Sequence, residues 1–180
     1  MPDQPINTGE LIFIDPASGF EIRAISPSER ETVAALVRDG VRADLAEAML
    51  AALAELPEGQ VFVGLRGQAI VAVYAIRKDG LANDLPVIVV APGERRKGIG
   101  RALLQDALRR SGRRPLAAQT PEEVLPFFKA CGFKLVGRRV QPSGETWFRV
   151  GWHAPGARFK GGTTTALDHR GVDRTTENDR

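Results

Sequence analysis

The stretch from Leu85 to Arg110 constrains the fold most. It opens on an apolar run, Leu-Pro-Val-Ile-Val-Val, that is β-branched and soon stopped by Pro92, which predicts a buried strand. Apolar residues then recur at Ile99, Leu103, Leu104, Ala107 and Leu108. That spacing predicts an amphipathic helix over 101–110. Between the two lies Ala91-Pro92-Gly93-Glu94-Arg95-Arg96-Lys97-Gly98-Ile99-Gly100, a turn with three consecutive cations. The first N–H groups of a helix lack intrahelical partners, and the macrodipole favours negative charge there. Glycines at 98 and 100 would let an anion approach those groups. Strand, cationic turn and helix start together predict a phosphate-type site.

Two well-defined phosphate loops do not fit. Gly93 and Gly98 have P-loop spacing, but Ile99 and Gly100 stand where a lysine and a hydroxyl are needed. A dinucleotide fingerprint needs a small residue at 103, which is leucine. What remains is Arg95-x-x-Gly98-x-Gly100 after a strand ending Val-x-Pro. It resembles the acetyl-CoA motif of the GCN5-related N-acetyltransferases (GNAT), Gln/Arg-x-x-Gly-x-Gly/Ala. Pro126-Phe127-Phe128-Lys129-Ala130-Cys131-Gly132-Phe133 resembles that family's last helix, Phe-Tyr-x-x-x-Gly-Phe. The resemblance covers about residues 20–150, judged on element lengths.

Length and composition agree with one ordinary domain. The chain has 180 residues, a net charge of +3 and a single cysteine, Cys131. That length carries a core without disulfide staples. Cys131, His153 and His169 do not have zinc-site spacing, so no metal is expected. Met1–Glu10 is polar and lacks a signal-peptide pattern, and no apolar run reaches membrane-spanning length. A cytoplasmic protein without a membrane partner is expected. So small a net charge does not point to nucleic acid. The cations cluster at Arg95, Arg96, Lys97, Arg101, Arg109, Arg110, Arg113 and Arg114, which suits a small polyanion.

Along the chain, residues 10–14 and 20–25 flank Asp15-Pro16-Ala17-Ser18-Gly19 and suggest a hairpin. Ser26-Pro27-Ser28-Glu29 has the capping-box pattern, opening a helix that ends at Gly40. A second helix is expected from Ala43 to Leu56, stopped by Pro57. Residues 60–66 and 69–77 read as strands joined by Gly67-Gln68, a two-residue hairpin of type II′. Lys78-Asp79-Gly80 and Asn83-Asp84 read as turns. Pro115-Leu116-Ala117-Ala118 reads as a short strand. Thr120-Pro121-Glu122-Glu123 is a second capping box, although Pro126 requires a kink or a later start. Residues 133–137 and 146–150 complete the strands. The order of elements is mixed α/β.

The resemblance implies an α/β fold with a mixed, mostly antiparallel central sheet split around the cofactor and helices on both faces. It implies residues 20–152 as the acetyltransferase domain, 1–19 as an extension with a hairpin strand, and 153–180 as a polar tail, flexible or docked. It implies acetyl-CoA as the acyl-donor substrate and an amine, on a small molecule or a protein, as acceptor. Backbone groups of Ile88, Val89 and Val90 would serve the thioester and pantetheine arm. Arg95, Arg96, Lys97, Gly98, Ile99, Gly100 and Arg101 would hold the pyrophosphate. A homodimer stays open.

Side-chain chemistry carries over poorly. Phe128 occupies the position of the family's general-acid tyrosine. Pro121 stands where some relatives have asparagine, and Leu116 to Ala118 carries no carboxylate. Tyr74, the single tyrosine, lies in an alternating strand, where aromatics usually pack. Glu94, Glu122, Glu123, Cys131 and His153 are weaker candidates. The alternative reading is a GNAT-fold module that binds CoA or a partner with little or no catalysis.

Overall fold

The computed structural model describes residues 13–15, 19–112 and 114–153. Residues 10–12 and 16–18 of the expected first hairpin, and 154–180 of the expected tail, lie outside the described residues. Eight strands form one sheet: β1 (Phe13–Asp15), β2 (Phe20–Ala24), β3 (Val61–Arg66), β4 (Ala69–Asp79), β5 (Ala82–Val90), β6 (Leu116–Pro121), β7 (Lys134–Val140) and β8 (Thr146–Trp152). Their order is β1-β2-β3-β4-β5-β6-β8-β7. Among the described residues only the β5–β6 pair is parallel. The β3–β4 hairpin closes through two residues, with Arg66 opposite Ala69 and Gly67 at φ 61°.

Helices cover both faces. α1 (Arg30–Gly40) and α2 (Ala43–Glu55) bury Val33, Val37, Ala46 and Leu53 against Val61, Val63, Val73, Ala75, Val87 and Val89. On the other face, α3 (Ile99–Ser111) and α4 (Leu125–Ala130) meet Phe62, Tyr74, Leu85, Leu116 and Val150 through Ile99, Leu103, Leu104, Leu125 and Phe128. Leu103 and Leu104 are buried almost completely. Each such side chain contributes about 1.5–3 kcal/mol.

Local signals set the helix ends, with three changes from expectation. The Ser26–Glu29 box is present, its Glu29 carboxylate accepting from the Ser26 N–H at 2.9 Å, but it opens a 3₁₀ turn that leads into α1. Thr120 stays in β6, and its hydroxyl donates to the Pro121 carbonyl at 3.2 Å instead of capping a helix. Glu122–Val124 is a 3₁₀ turn, so α4 starts at Leu125 and places Pro126 in its first turn, where a missing donor costs nothing. Gly132, at φ 90°, then ends α4 in the left-handed conformation expected after a helix. Asn83-Asp84 is not a turn. The chain reverses at Gly80–Leu81, Asp79 pairs with Ala82, and Asn83 is already buried within β5.

Candidate active site

The centre of the fold is an irregularity in β5. Ala75 pairs with Val87, but Arg77 pairs with Asp84, so β5 spends one residue more than β4 around Leu85-Pro86. A strand exposes N–H and C=O groups alternately to its two neighbours. The extra residue reverses that alternation. Before it, the Asn83 N–H donates towards β6, to Pro115 O at 2.8 Å; after it, the Ala91 N–H donates towards β4, to Val71 O at 2.8 Å. Ile88 and Val90 therefore turn their backbone groups away from β4. Val89, on the same count, turns its groups towards β4. Among the described residues β5 has no strand partner on its other side beyond the bulge, since β6 pairs only with Asn83 and Asp84 before turning to β8. A gap between β5 and β6 results, and Ile88 and Val90 turn their N–H groups into it, while the Val90 carbonyl accepts from Arg95. Pro86 lies in the bulge, where its absent N–H removes no ladder bond.

The cationic turn sits at the end of this strand. Pro92–Glu94 forms a 3₁₀ turn, Arg96 adopts φ 65° and Gly98 φ 82°, and α3 starts at Ile99. Successive residues of such opposed conformations point N–H groups into a concavity that suits an anion. The two glycines serve different ends. A Cβ on Gly98 would meet nothing, so its backbone conformation is what calls for glycine, whereas a Cβ on Gly100 would lie 3.1 Å from the Phe127 ring. Ile99 is buried, and its side chain belongs to the core. Arg96, Lys97 and Arg101 are exposed, and Lys97 pairs with Glu94 at 3.2 Å. Glu94 also meets Arg66 at 3.3 Å.

Arg95 does something different. Its guanidinium donates to the Val90 carbonyl at 3.0 Å and to the Gly40 carbonyl at the end of α1. Gly40 does not adopt a left-handed conformation. A Cβ there would lie 2.5 Å from Val89 Cγ1, so close packing of α1 on β5 is what requires glycine.

The expected side-chain candidates lie elsewhere. Tyr74 is fully buried under α3 and donates to Asp106 Oδ2 at 2.5 Å. Phe128 is buried in the core, edge-on to Phe127 and Phe133 with ring centroids 5.4 and 5.3 Å away. Burial pushes the Cys131 thiol upward in pKa, with Arg101 partly opposing it. Glu122 and Glu123 occupy the exposed 3₁₀ turn before α4, and His153 follows β8 at the surface.

A cavity of about 200 Å³ opens where β5 and β6 part. α2 forms one wall with Leu45, Ala48, Met49 and Ala52, and Gln119 and Trp147 stand on β6 and β8. Asp84 is the one carboxylate of its lining, 3.7 Å from the Arg149 guanidinium. Sequence reasoning passed over Asp84 by taking Asn83-Asp84 as a turn. The available signal was an acidic residue directly before an apolar strand run, a place where aspartate is disfavoured. A larger apolar groove of about 440 Å³ lies between α1 and α2, lined by Val33, Leu50, Leu53 and Val61, on the side away from the phosphate-type turn.

A family model described as an acetyltransferase (GNAT) domain matches residues 57–135, a span that holds the bulged strand, the turn and α4. Over those residues the chain is similar to GNAT acetyltransferase domains. Solved structures of acetyltransferases share the fold. A GNAT-family acetyltransferase from Bacillus cereus has 17% identity and a TM-score of 0.62, covering 74% of this chain and 96% of its own. The ribosomal-protein-S18-alanine N-acetyltransferase from Escherichia coli has 16% identity and a TM-score of 0.60, covering 78% and 99%. The PaiA N-acetyltransferase from Thermoplasma acidophilum, solved in complex with coenzyme A, has 14% identity and a TM-score of 0.55, covering 72% and 97%. No curated protein matches the chain. No helix among the described residues is long and apolar enough to cross a membrane, and no group of three or more His, Cys, Asp or Glu among them could hold a metal ion.

Proposed function

We propose that this GNAT domain transfers an acetyl group from acetyl-CoA to an amine by direct attack, within a domain spanning residues 20–152. The observation that carries this reading is the gap beyond the β5 bulge. It has gap-facing N–H groups at Ile88 and Val90, an anion-suited turn at one end and a small cavity with one carboxylate at the other. The pyrophosphate of CoA would lie on the N–H groups from Arg96 to Gly100, with Lys97 and Arg101 supplying charge. The thioester carbonyl would accept a hydrogen bond from a gap-facing N–H as charge develops on its oxygen. Asp84 would take the proton of the amine, directly or through water. The amine nitrogen bonds to the carbonyl carbon, the carbon–sulfur bond breaks, and the CoA thiolate is protonated from solvent.

One observation favours a second reading, a CoA-binding module with little catalysis. No tyrosine faces the gap: position 128 is phenylalanine within the core, and Tyr74 is committed to Asp106. The two readings separate in one experiment. Thiol release is followed with acetyl-CoA over a panel of primary amines and amino-terminal peptides, beside calorimetric binding of CoA. Amine-dependent release supports the transferase. CoA binding without release for any amine supports the module, and absence of CoA binding at low salt overturns both.

A further inference from the structure

We propose that Arg42 is a specificity-determining residue of the acetyltransferase: a guanidinium latch across the mouth of the Asp84 cavity that must open before the acceptor enters. The proposal rests on reading that cavity as the acceptor site.

Arg42 occupies the N-cap position of α2. Asp44, two residues on, holds one edge of its guanidinium, with Nε and Nη2 at 3.2 and 3.1 Å from the carboxylate. From that anchored position Nη2 reaches Glu145 Oε1 at 2.7 Å, and Nη1 lies 3.6 Å from Glu123 Oε1. Glu145 is 103 residues away in sequence and directly precedes β8. Its second oxygen accepts from Trp147 Nε1 at 3.3 Å, so the carboxylate is oriented from both sides.

These residues flank the cavity. Leu45 and Ala48, just past Arg42 on α2, line one wall; Gln119 and Trp147, four and two residues from Glu123 and Glu145 in sequence, line the other. The Arg42 bridges therefore join the two walls at the rim. A latch of this kind is easily opened. The Arg42 side chain is 45% exposed, and exposed ion pairs are weak and screened by salt. A closed fraction reduces apparent acceptor affinity in proportion, and leaves CoA, which would bind along the other end of the gap, unaffected.

The latch can be tested without knowing the acceptor. With Trp152→Phe as background, emission comes from Trp147, and acrylamide quenching reports access to the cavity. Arg42→Ala and Glu145→Gln should both raise the quenching constant. Raising NaCl from about 20 mM to about 0.5 M should bring the parent towards the variants and leave Arg42→Ala unchanged. Equal quenching in parent and both variants overturns the latch. The kinetic arm uses whichever amine the panel identifies. Both substitutions should lower acceptor KM about two- to five-fold, the range of an exposed pair, with CoA affinity constant. Arg42→Ala makes the rim more negative and Glu145→Gln less so. A plain charge effect would thus move KM in opposite directions, and that result overturns the proposal, as does a matching change in CoA affinity. If quenching responds as stated but no amine is acetylated, the transferase reading fails, and with it the role in specificity, while the closure itself stands.

Discussion

The hydroxyl of Tyr74 donates to Asp106 Oδ2 over 2.5 Å, tying the middle of β4 to the inner face of α3. Asp106 is 1% exposed and also accepts from Arg109 and, at 2.8 Å, from Arg110 Nε. Arg110 lies over the Phe62 ring at 4.1 Å, and Phe62 stacks on Tyr74 at 5.0 Å. Burial, reinforced by the Asp106 charge, pushes the Tyr74 phenol far above its ordinary pKa. The result is a closed polar knot beneath α3. A buried carboxylate is tolerated there because three donors satisfy it.

Tyr74 is accordingly expected to support the fold and not the chemistry. Tyr74→Phe should cost about 1.5–3 kcal/mol, the range for a hydrogen bond to a charged group. Asp106→Ala should cost more, about 3–5 kcal/mol, because it strands Arg110. Urea unfolding measures both. Lost turnover in Tyr74→Phe at unchanged stability would place the phenol in the reaction.

In the turn, Gly98 and Arg96 both hold positive φ, and only one is glycine. Gly98→Val should strain the backbone by about 1–2 kcal/mol and weaken CoA binding more than Arg96→Ala does. Arg96→Gly should relieve strain and raise Tm while reducing CoA affinity through loss of charge. Calorimetry beside thermal melts separates the two effects. An Arg96→Gly protein that binds CoA as well as the parent would show that this side chain does not meet the phosphates.

Phe128→Tyr discriminates between carry-over from the family and the packing seen here. Phe128 is 2% exposed and surrounded by Phe127 and Phe133. A hydroxyl buried without a partner costs about 1–3 kcal/mol, so Tm should fall and turnover should not rise. Raised turnover would mean that this side chain reaches the sulfur after all.

Asp84→Asn removes the proton acceptor while keeping the side chain's shape. Under the transferase reading kcat should fall by about 10²–10⁴ with CoA affinity unchanged. An unchanged kcat would instead point to a base outside Asp84.

Glu29 links stability to pH. Its side-chain hydrogen bonds with Arg23, at 2.6 and 2.9 Å, hold its carboxyl pKa down at about 2, against an ordinary 4.5. A depressed carboxyl contributes stability above its unfolded pKa and loses it as pH falls towards its folded one. The parent should therefore weaken between pH 4.5 and 2. Glu29→Gln should remove part of that slope, about 1–2 kcal/mol after solvent screening. Melts across that window measure the difference, and identical slopes would mean that the pair contributes nothing.

Local patterns made much of this architecture legible. The stripe on α3, the two-residue turn at Gly67-Gln68, the start of α1 after Ser26 and the left-handed stop at Gly132 all depend on neighbours within a few residues. The anion-suited turn was legible for the same reason. Strand, cations, glycines and helix start are contiguous in the chain.

Only the tertiary structure decided how that turn is used. The bulge at Leu85-Pro86 arises from register against β4, and it selects Ile88 and Val90 as the gap-facing groups. The side chain of Arg95, a motif cation, reaches a carbonyl 55 residues away. Phe128 turns into the core although its position in the motif suggested the reacting sulfur. Asp84 and Asp106 are ordinary aspartates in sequence, separated in fate by what packs on them: one lines a cavity, the other is buried on the inner face of α3. Periodicity reports which face of an element is apolar. It carries no record of which distant segment will meet a given side chain, because that depends on pairing register and on the space left between packed elements.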